Sequence, residues 1–337
     1  MARRHRTAPR AKAVAARAKG TGPRGLRSIR VIADESKKEV AALLRKLEPW
    51  LRARVETLVV ERDVRAFYKE HTAAGTAASS PCDAIVVLGG DGAILAAVRA
   101  FANTPVPTLG INFGRVGFLA SVEARDWREA LAELLAGQLV REPRMRLDAH
   151  LERGSSESSR GEKVNAVALN DVVLTRGAFQ GMLTLSLSVG RDWVTNYRAD
   201  GLIVATPSGS TAYSLAAGGP LLAPTMEGLV VTPVCPQALS HRAIVLGAAD
   251  ELSLTVEEAS GVTTLVVDGQ GFYPVRQGDR VRLRRHPVPW PLLARPGHDP
   301  FRRWRDRLGW RGSLEETDAM TNRAVLERAD PEHGSGL

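Results

Sequence analysis

Apolar positions along this chain follow two regimes, and the change falls near Pro143. Before it, short β-branched runs alternate with stretches of helical period. Residues 29–33 predict a first strand. Ser36 and Glu39 then have the S-x-x-E spacing of a capping box, and Val40, Leu43, Leu44, Leu47 and Leu51 follow on one helical face. Residues 55–60 predict a second strand, and the small, polar stretch 71–80 a loop. The run 84–88 is apolar without alternation, as in a strand covered on both faces. Glycines break it at 89–92, and helical character resumes over 93–102. A strand at 107–111 and a helix at 125–135 follow. Strands alternating with helices predict a parallel sheet with right-handed crossovers.

Beyond Pro143 the period shortens to two. Residues 182–189 alternate apolar and polar, and 229–234, 252–256, 263–267 and 280–284 are further strand candidates. Asp268-Gly269 suits a tight turn between two of them. One helix is expected around 210–217, and the Ser/Gly-rich 152–163 reads as an exposed loop. Five prolines between Pro287 and Pro300 suggest an extended connector, and 301–310 a short helix packing back on the body. The fold class is therefore α/β, an N-terminal parallel-sheet nucleotide-fold domain followed by a β-rich domain. The expected division is a tail at 1–27, an α/β domain at 28–143, and a β-rich domain at 144–286. A connector with a short helix at 287–314 and a loose terminus at 315–337 complete it.

Charge refines this division. The 337 residues carry a net +9, but Met1 to Arg30 hold ten Lys or Arg and no acid, leaving 36 basic and 37 acidic residues elsewhere. The body is nearly neutral and the basicity belongs to the tail. A solvated extension is the favoured reading of it. A contact with nucleic acid or an anionic membrane is the sharper one, and an organelle transit peptide ranks below both. No apolar segment suits a secretory signal or a membrane span. Cys82 and Cys235 have no zinc-type spacing and sit in or beside apolar runs, as buried thiols would. A cytoplasmic protein is expected.

Four segments carry candidate chemistry. Gly89-Gly90-Asp91-Gly92 ends a buried strand. Its amides, with the start of the next helix, would cradle a phosphate, and Asp91 there would bind a metal or take a proton. A plain strand-to-helix turn capped by Asp91 explains the tetrapeptide equally well. It is neither a Walker loop nor GxGxxG. Residues 110–119 follow the next strand, so both loops lie on the same edge of the sheet, where α/β ligands bind. Arg115 could meet a phosphate and Phe118 a base, although a surface loop with a core Phe is the simpler account. Asn170-Asp171 interrupts an apolar strand, which a ligand with hydroxyls or a bulge would each explain. The fourth runs from Arg198 to Ser214, a strand entering a turn rich in glycine and hydroxyls before a helix. Here nucleotide binding is the stronger reading.

Together these segments resemble the NAD kinase family, over most of the chain from Ile29 to Trp310. GGDG alone is shared with lipid kinases and phosphofructokinases, whereas Asp200-Gly-Leu-Ile-Val-Ala-Thr-Pro-Ser-Gly-Ser-Thr-Ala-Tyr213 is far more specific. The resemblance implies phosphoryl transfer from ATP or polyphosphate to the 2′-hydroxyl of the adenosine ribose of NAD, giving NADP, with a divalent ion, Mg²⁺ by expectation. It implies Asp91 as catalytic base or metal-organising group, with Gly89, Gly90 and Gly92 at the nucleotide. Phe118 would lie near adenine, and Asn170 and Asp171 on ribose hydroxyls. Arg198 and Asp200 would line the NAD site. Thr211, Ala212 and Tyr213, with Ser214 and Ala216, would form the adenosine turn, and Gln270 a further contact. A dimer or tetramer is implied, with no membrane partner and no nucleic acid apart from the tail.

Several positions depart from the family pattern. Ala93 stands for Thr, Ser208 for Thr, Ala216 for Ser, Gln237 for His and Asp171 for Glu. They bear on rate and preference more than on reaction type. Two other functions compete: a lipid kinase sharing the GGDG loop, and a non-enzymatic NAD(H)-binding regulator whose tail contacts nucleic acid.

Overall fold

The computed structural model describes residues 26–70, 82–113, 117–154, 164–177, 181–259, 261 and 263–310. Nearly all of the basic tail lies outside them, as do Arg115, residues 71–80, most of the loop read at 152–163, and 315–337.

The chain begins with β1 (Ser28–Ala33), α1 (Lys38–Arg52), β2 (Thr57–Glu61), α2 (Val64–Glu70), β3 (Ala84–Leu88), α3 (Asp91–Ala100) and β4 (Thr108–Asn112). A two-residue β5 (Val122–Glu123), α4 (Trp127–Leu135) and β6 (Val140–Arg144) follow. The strands pair in the order β2-β1-β3-β4, all parallel. β3 shows why its sequence lacks alternation. Val86 and Leu88 pack with α1 and α4 on one face, while Ile85 and Val87 pack with α3 on the other. Each crossover helix covers a face that would otherwise be wet.

The second regime is a β-sandwich. β7 (Leu147–Glu152), β8 (Val164–Ala168), β9 (Asp171–Arg176), β10 (Leu183–Val189), β11 (Asp192–Ala199) and β12 (Gly201–Ala205) lead to a short α5 (Tyr213–Ala216). β13 (Gly228–Val234), β14 (Ile244–Gly247), β15 (Leu252–Ala259), β16 (Thr263–Val267), β17 (Gly271–Val275) and β18 (Arg280–Arg285) complete it. One sheet runs β11-β10-β15-β18-β7-β8 and the other β14-β13-β12-β9-β16-β17. Alternation in β10 sends Leu183, Leu185 and Leu187 into the core shared by the two sheets. In β9 and β12 both faces are covered, so those strands read as continuous apolar runs.

The chain then returns to its first sheet. β19 (Trp290–Ala294) lies between β4 and β6, parallel to the former and antiparallel to the latter. α6 (Arg302–Leu308) follows. Arg146 fixes the crossing between halves. It is fully buried and donates to the carbonyls of Ala102 at 2.7 Å and Val288 at 2.8 Å. Burial pushes its pKa down to about 10, with Asp148 opposing.

Several expectations are corrected. The capping box does not form: α1 starts at Lys38 without a side-chain cap, and the Ser36 hydroxyl donates to Asp34 instead. α3 begins at Asp91 itself rather than after the glycine loop. The helix expected at 210–217 is split into a 3-10 turn at Gly209–Thr211 and the four-residue α5. The proline-rich stretch contains β19. Cys235 is exposed, in a left-handed turn (φ 48°) just past β13, and Cys82 is only half-buried.

Candidate active site

Because β3 and β4 are adjacent and parallel, the loops after them emerge side by side. Asp91 joins them. Its Oδ2 accepts the Phe118 amide at 2.8 Å and its Oδ1 the Leu119 amide at 3.0 Å. The approach is so close that a Cβ on Gly117 would sit 2.0 Å from Asp91 Oδ1. Asp91 therefore does not cap its own helix but ties the second loop down. A Cβ on Gly90 or Gly92 would meet nothing, so the space above the first loop is open. The Gly92 carbonyl accepts from Gln270 Nε2 at 3.0 Å, which fastens the glycine loop to the β16–β17 turn of the sandwich. Arg99, also on α3, reaches the Tyr273 hydroxyl at 3.3 Å and strengthens the same seam.

Asp268 organises the next part. Held at φ 51°, it accepts the amides of Leu169, Asn170 and Asp171 at 2.8, 2.7 and 3.1 Å. This clamp orients the start of β9, where Asn170 and Asp171 are both buried. Asn170 Oδ1 is buried without a partner among the described residues. Burial, helped by the negative charge of Asp268, lifts the Asp171 pKa from 3.8 to about 7. Burial also raises Asp268, to about 6, against its three amide donors and Arg99. A cavity of about 430 Å³ opens here, lined by Leu95, Asn170, Asp171, Val173, Thr175, Ala212, Tyr213, Val266, Asp268 and Gly269. It is apolar on its walls with a few convergent polar groups, the make-up of a small-molecule site.

The turn between β12 and α5 forms another wall, but not by offering its hydroxyls. Thr206 Oγ1 donates to the Leu169 carbonyl at 2.5 Å, Ser210 Oγ to Pro207 at 2.7 Å, and Thr211 Oγ1 to Ser208 at 2.9 Å. Ser214 pairs with Thr232 at 2.9 Å. The first three satisfy backbone carbonyls and the last a buried side-chain hydroxyl. What reaches the cavity is Ala212 and the ring of Tyr213, which is 47% exposed. Gly209 is required here, since its Cβ would lie 1.9 Å from the Asn170 carbonyl oxygen.

The structure thus brings together Asp91, Gly92, Phe118, Asn170, Asp171, Ala212, Tyr213 and Gln270, with Gly89, Gly90 and Thr211 beside them. It does not bring Arg198 or Asp200 to this cavity. Asp171 pairs with Ala205 at one end of β12, whereas Asp200 precedes the other end and binds Arg176 Nε at 2.7 Å. Arg198 is exposed on β11, and Ala216 is exposed on α5 away from the cavity lining. Sequence reasoning missed Gly117, Gly209, Arg99 and the clamp role of Asp268. Only Asp268, in its Asp-Gly pair after a strand, carried a local signal.

Comparison with known proteins places this geometry. Residues 29–139 match the ATP-NAD kinase N-terminal domain and 169–293 the ATP-NAD kinase C-terminal domain. The chain belongs to the NAD kinase family. Its similarity to a Marinobacter nauticus NAD kinase is 36% identity over 292 residues, covering 86% of this chain and 98% of that one. A Symbiobacterium thermophilum NAD kinase is 44% identical over 216 residues, or 64% of this chain and 75% of the relative. The fold resembles that of yeast NADH kinase complexed with NADH, with TM-score 0.71, 22% identity, and coverage of 86% and 89%. It also resembles an Archaeoglobus fulgidus NAD kinase in complex with ATP, with TM-score 0.57, 23% identity, and coverage of 83% and 99%. The two family-domain matches leave out residues 140–168 and the end of the chain from 294, which include Arg144 and α6. Among the described residues no helix is long and apolar enough to cross a membrane.

Proposed function

We propose that this chain transfers the terminal phosphoryl group of ATP to the 2′-hydroxyl of the adenosine ribose of NAD, giving NADP. The observation that carries the reading is the 430 Å³ cavity with Asn170, Asp171 and Tyr213 on its wall, next to a glycine loop with open space above its amides. The adenosine lies against Tyr213 and Ala212, and its ribose hydroxyls face Asn170 and Asp171. The donor phosphates lie on the amides at the start of α3, where the helix end favours negative charge.

Positioning and charge stabilisation account for most of such a reaction. The hydroxyl oxygen bonds to the terminal phosphorus as the bond to the ADP oxygen breaks, and ADP leaves with the electron pair. The hydroxyl proton needs an acceptor. Both oxygens of Asp91 are engaged by the second loop. Its first task is to hold the two loops together. Asp171, lifted to about 7, is the cavity carboxylate suited to exchanging a proton near neutral pH. Among the described residues no three His, Cys, Asp or Glu converge as metal ligands. A divalent ion entering with the donor phosphates would need only one or two carboxylates from the protein, and no step is routed through it.

The test is NADP formation by purified protein with NAD, ATP and Mg²⁺, beside Asp91→Asn. Turnover that collapses in the variant while NAD binding persists is the expected result. Near-normal turnover in the variant would remove Asp91 from the machinery, and no turnover in the wild type would remove the function.

A further inference from the structure

Beneath α6 lies a niche built around two arginines that belong to none of the motifs above. Arg303 of α6 and Arg144 at the end of β6 are 6% and 4% exposed. Arg303 donates through Nη1 to the Phe118 carbonyl, and Arg144 through Nη2 to Glu142 at 2.5 Å. Each keeps a second nitrogen, Arg303 Nη2 and Arg144 Nε, buried and without a partner among the described residues. Both residues line one small cavity, of about 20 Å³, walled by Phe118, Ser208, Thr211 and Trp304.

Hydrogen-bond donors there are left over. Glu142 pairs with Arg144, and the neighbouring Asp91, whose charge also acts on Arg303, accepts the amides of Phe118 and Leu119 rather than a guanidinium nitrogen. Burial, and next the like charge of Arg144, pushes the Arg303 pKa down to about 10, with Glu142 and Asp91 opposing. His298 adds a further buried nitrogen, Nε2, with no partner among the described residues, and its pKa is lowered by burial and then by Arg303. Buried donors without acceptors are costly, and buried charges more so. An acceptor bearing negative charge would satisfy both arginine nitrogens.

We propose that the Arg144–Arg303 niche is an anion site that takes one oxygen of a phosphate group. Its volume holds a group the size of one water or oxygen, not a whole phosphate, so the rest of the anion lies at the mouth. Guanidinium groups are well suited to such an oxyanion. The phosphate belongs either to the donor nucleotide or to free inorganic phosphate. In both cases the consequence is the same. Arg303 holds the Phe118 carbonyl while Asp91 holds the Phe118 amide, so an anion on Arg303 fixes the second loop against the first.

The experiment follows the melting temperature of the full chain against inorganic phosphate, with chloride at matched ionic strength. It compares the wild type, Arg303→Gln, and Arg302→Gln as an exposed control on the same helix. A saturable rise in the wild type and control, weakened about tenfold or more in Arg303→Gln, is expected from loss of one charge-assisted bond. Arg303→Lys, which keeps the charge without the fork, is expected to lie between and serves if the Gln variant does not fold. The donor source is read from the KM for ATP, raised about tenfold in Arg303→Gln with KM for NAD unchanged, and from phosphate inhibition competitive with ATP. Free phosphate as the source leaves both KM values unchanged and keeps the melting effect. Phosphate stabilisation that survives equally in Arg303→Gln and Arg303→Lys overturns the proposal. So does no stabilisation in the wild type with ATP KM unchanged in the variants. The donor arm rests on the proposed function and the phosphate arm does not, so failure of NADP formation leaves the melting result standing.

Discussion

Asp171→Asn should make this protein more stable and less active, and the gain should grow with pH. The side chain is buried, and its carboxyl pKa is lifted from 3.8 to about 7. Between those values the unfolded chain has released the proton and the folded chain still holds it. Unfolding stability therefore falls as pH rises from about 4 to 7, and stays low above. At about 1.4 kcal/mol per pH unit, the carboxylate costs up to about 4 kcal/mol at pH 8. Asn keeps the shape and removes the titration. Without nucleotides, the stability gap between variant and wild type should widen by about 3 kcal/mol from pH 5 to pH 8, or roughly 5 °C in melting temperature for a chain of this size. Melting both proteins across that range is the assay. NADP formation by the variant should fall on the order of 10²-fold or more, as loss of a proton acceptor implies. A gap that stays constant with pH, or that shrinks as pH rises, would refute the burial argument. Undiminished turnover would refute the role of Asp171 as acceptor.

Other perturbations test the seams around the cavity. Gly117→Ala places a methyl 2.0 Å from Asp91 Oδ1, so the second loop must move; turnover should be largely lost while the circular dichroism spectrum stays native. Gln270→Ala removes the bond to the Gly92 carbonyl. It should cost about 1 kcal/mol of loop positioning, read as a roughly fivefold change in kcat/KM; no change would show the seam to be incidental. Arg146→Ala strands the carbonyls of Ala102 and Val288. It should destabilise by about 3 kcal/mol or more in urea unfolding, and a loss under 1 kcal/mol would contradict its role at the crossing.

What the sequence shows and what it hides divide along physical lines. Local period revealed β3, because a strand covered on both faces has no polar positions to interrupt it. It revealed β10 for the opposite reason, since one wet face forces alternation. The glycine loop was legible because residues with no side chain at the end of a buried strand leave few roles. The hydroxyl-rich turn misled in detail. Thr206, Ser210 and Ser214 suggest groups offered to a ligand, yet the first two donate to the carbonyls of Leu169 and Pro207 and the third pairs with the Thr232 hydroxyl, and that depends on what lies within hydrogen-bond reach after folding. The Ser36–Glu39 spacing failed as a cap because Asp34 captured the Ser36 hydroxyl. Gly117, Gly209 and Arg303 matter through neighbours far away in sequence, and no window along the chain contains both members of such a contact.

The position of β19 has a consequence for how the molecule is made. The strand that continues the first sheet past β4 comes after the whole sandwich, at Trp290–Ala294. At a synthesis rate of about 5–20 residues per second, β4 leaves the ribosome on the order of ten to forty seconds before the strand that completes its pairing. β5 covers one end of that edge of β4 early, but the rest stays unpaired through the interval. A fragment ending after β18 would carry the same open edge permanently. The two halves, distinct in architecture, therefore mature as a single unit, and the glycine loop gains its final support only when nearly the entire chain has been translated.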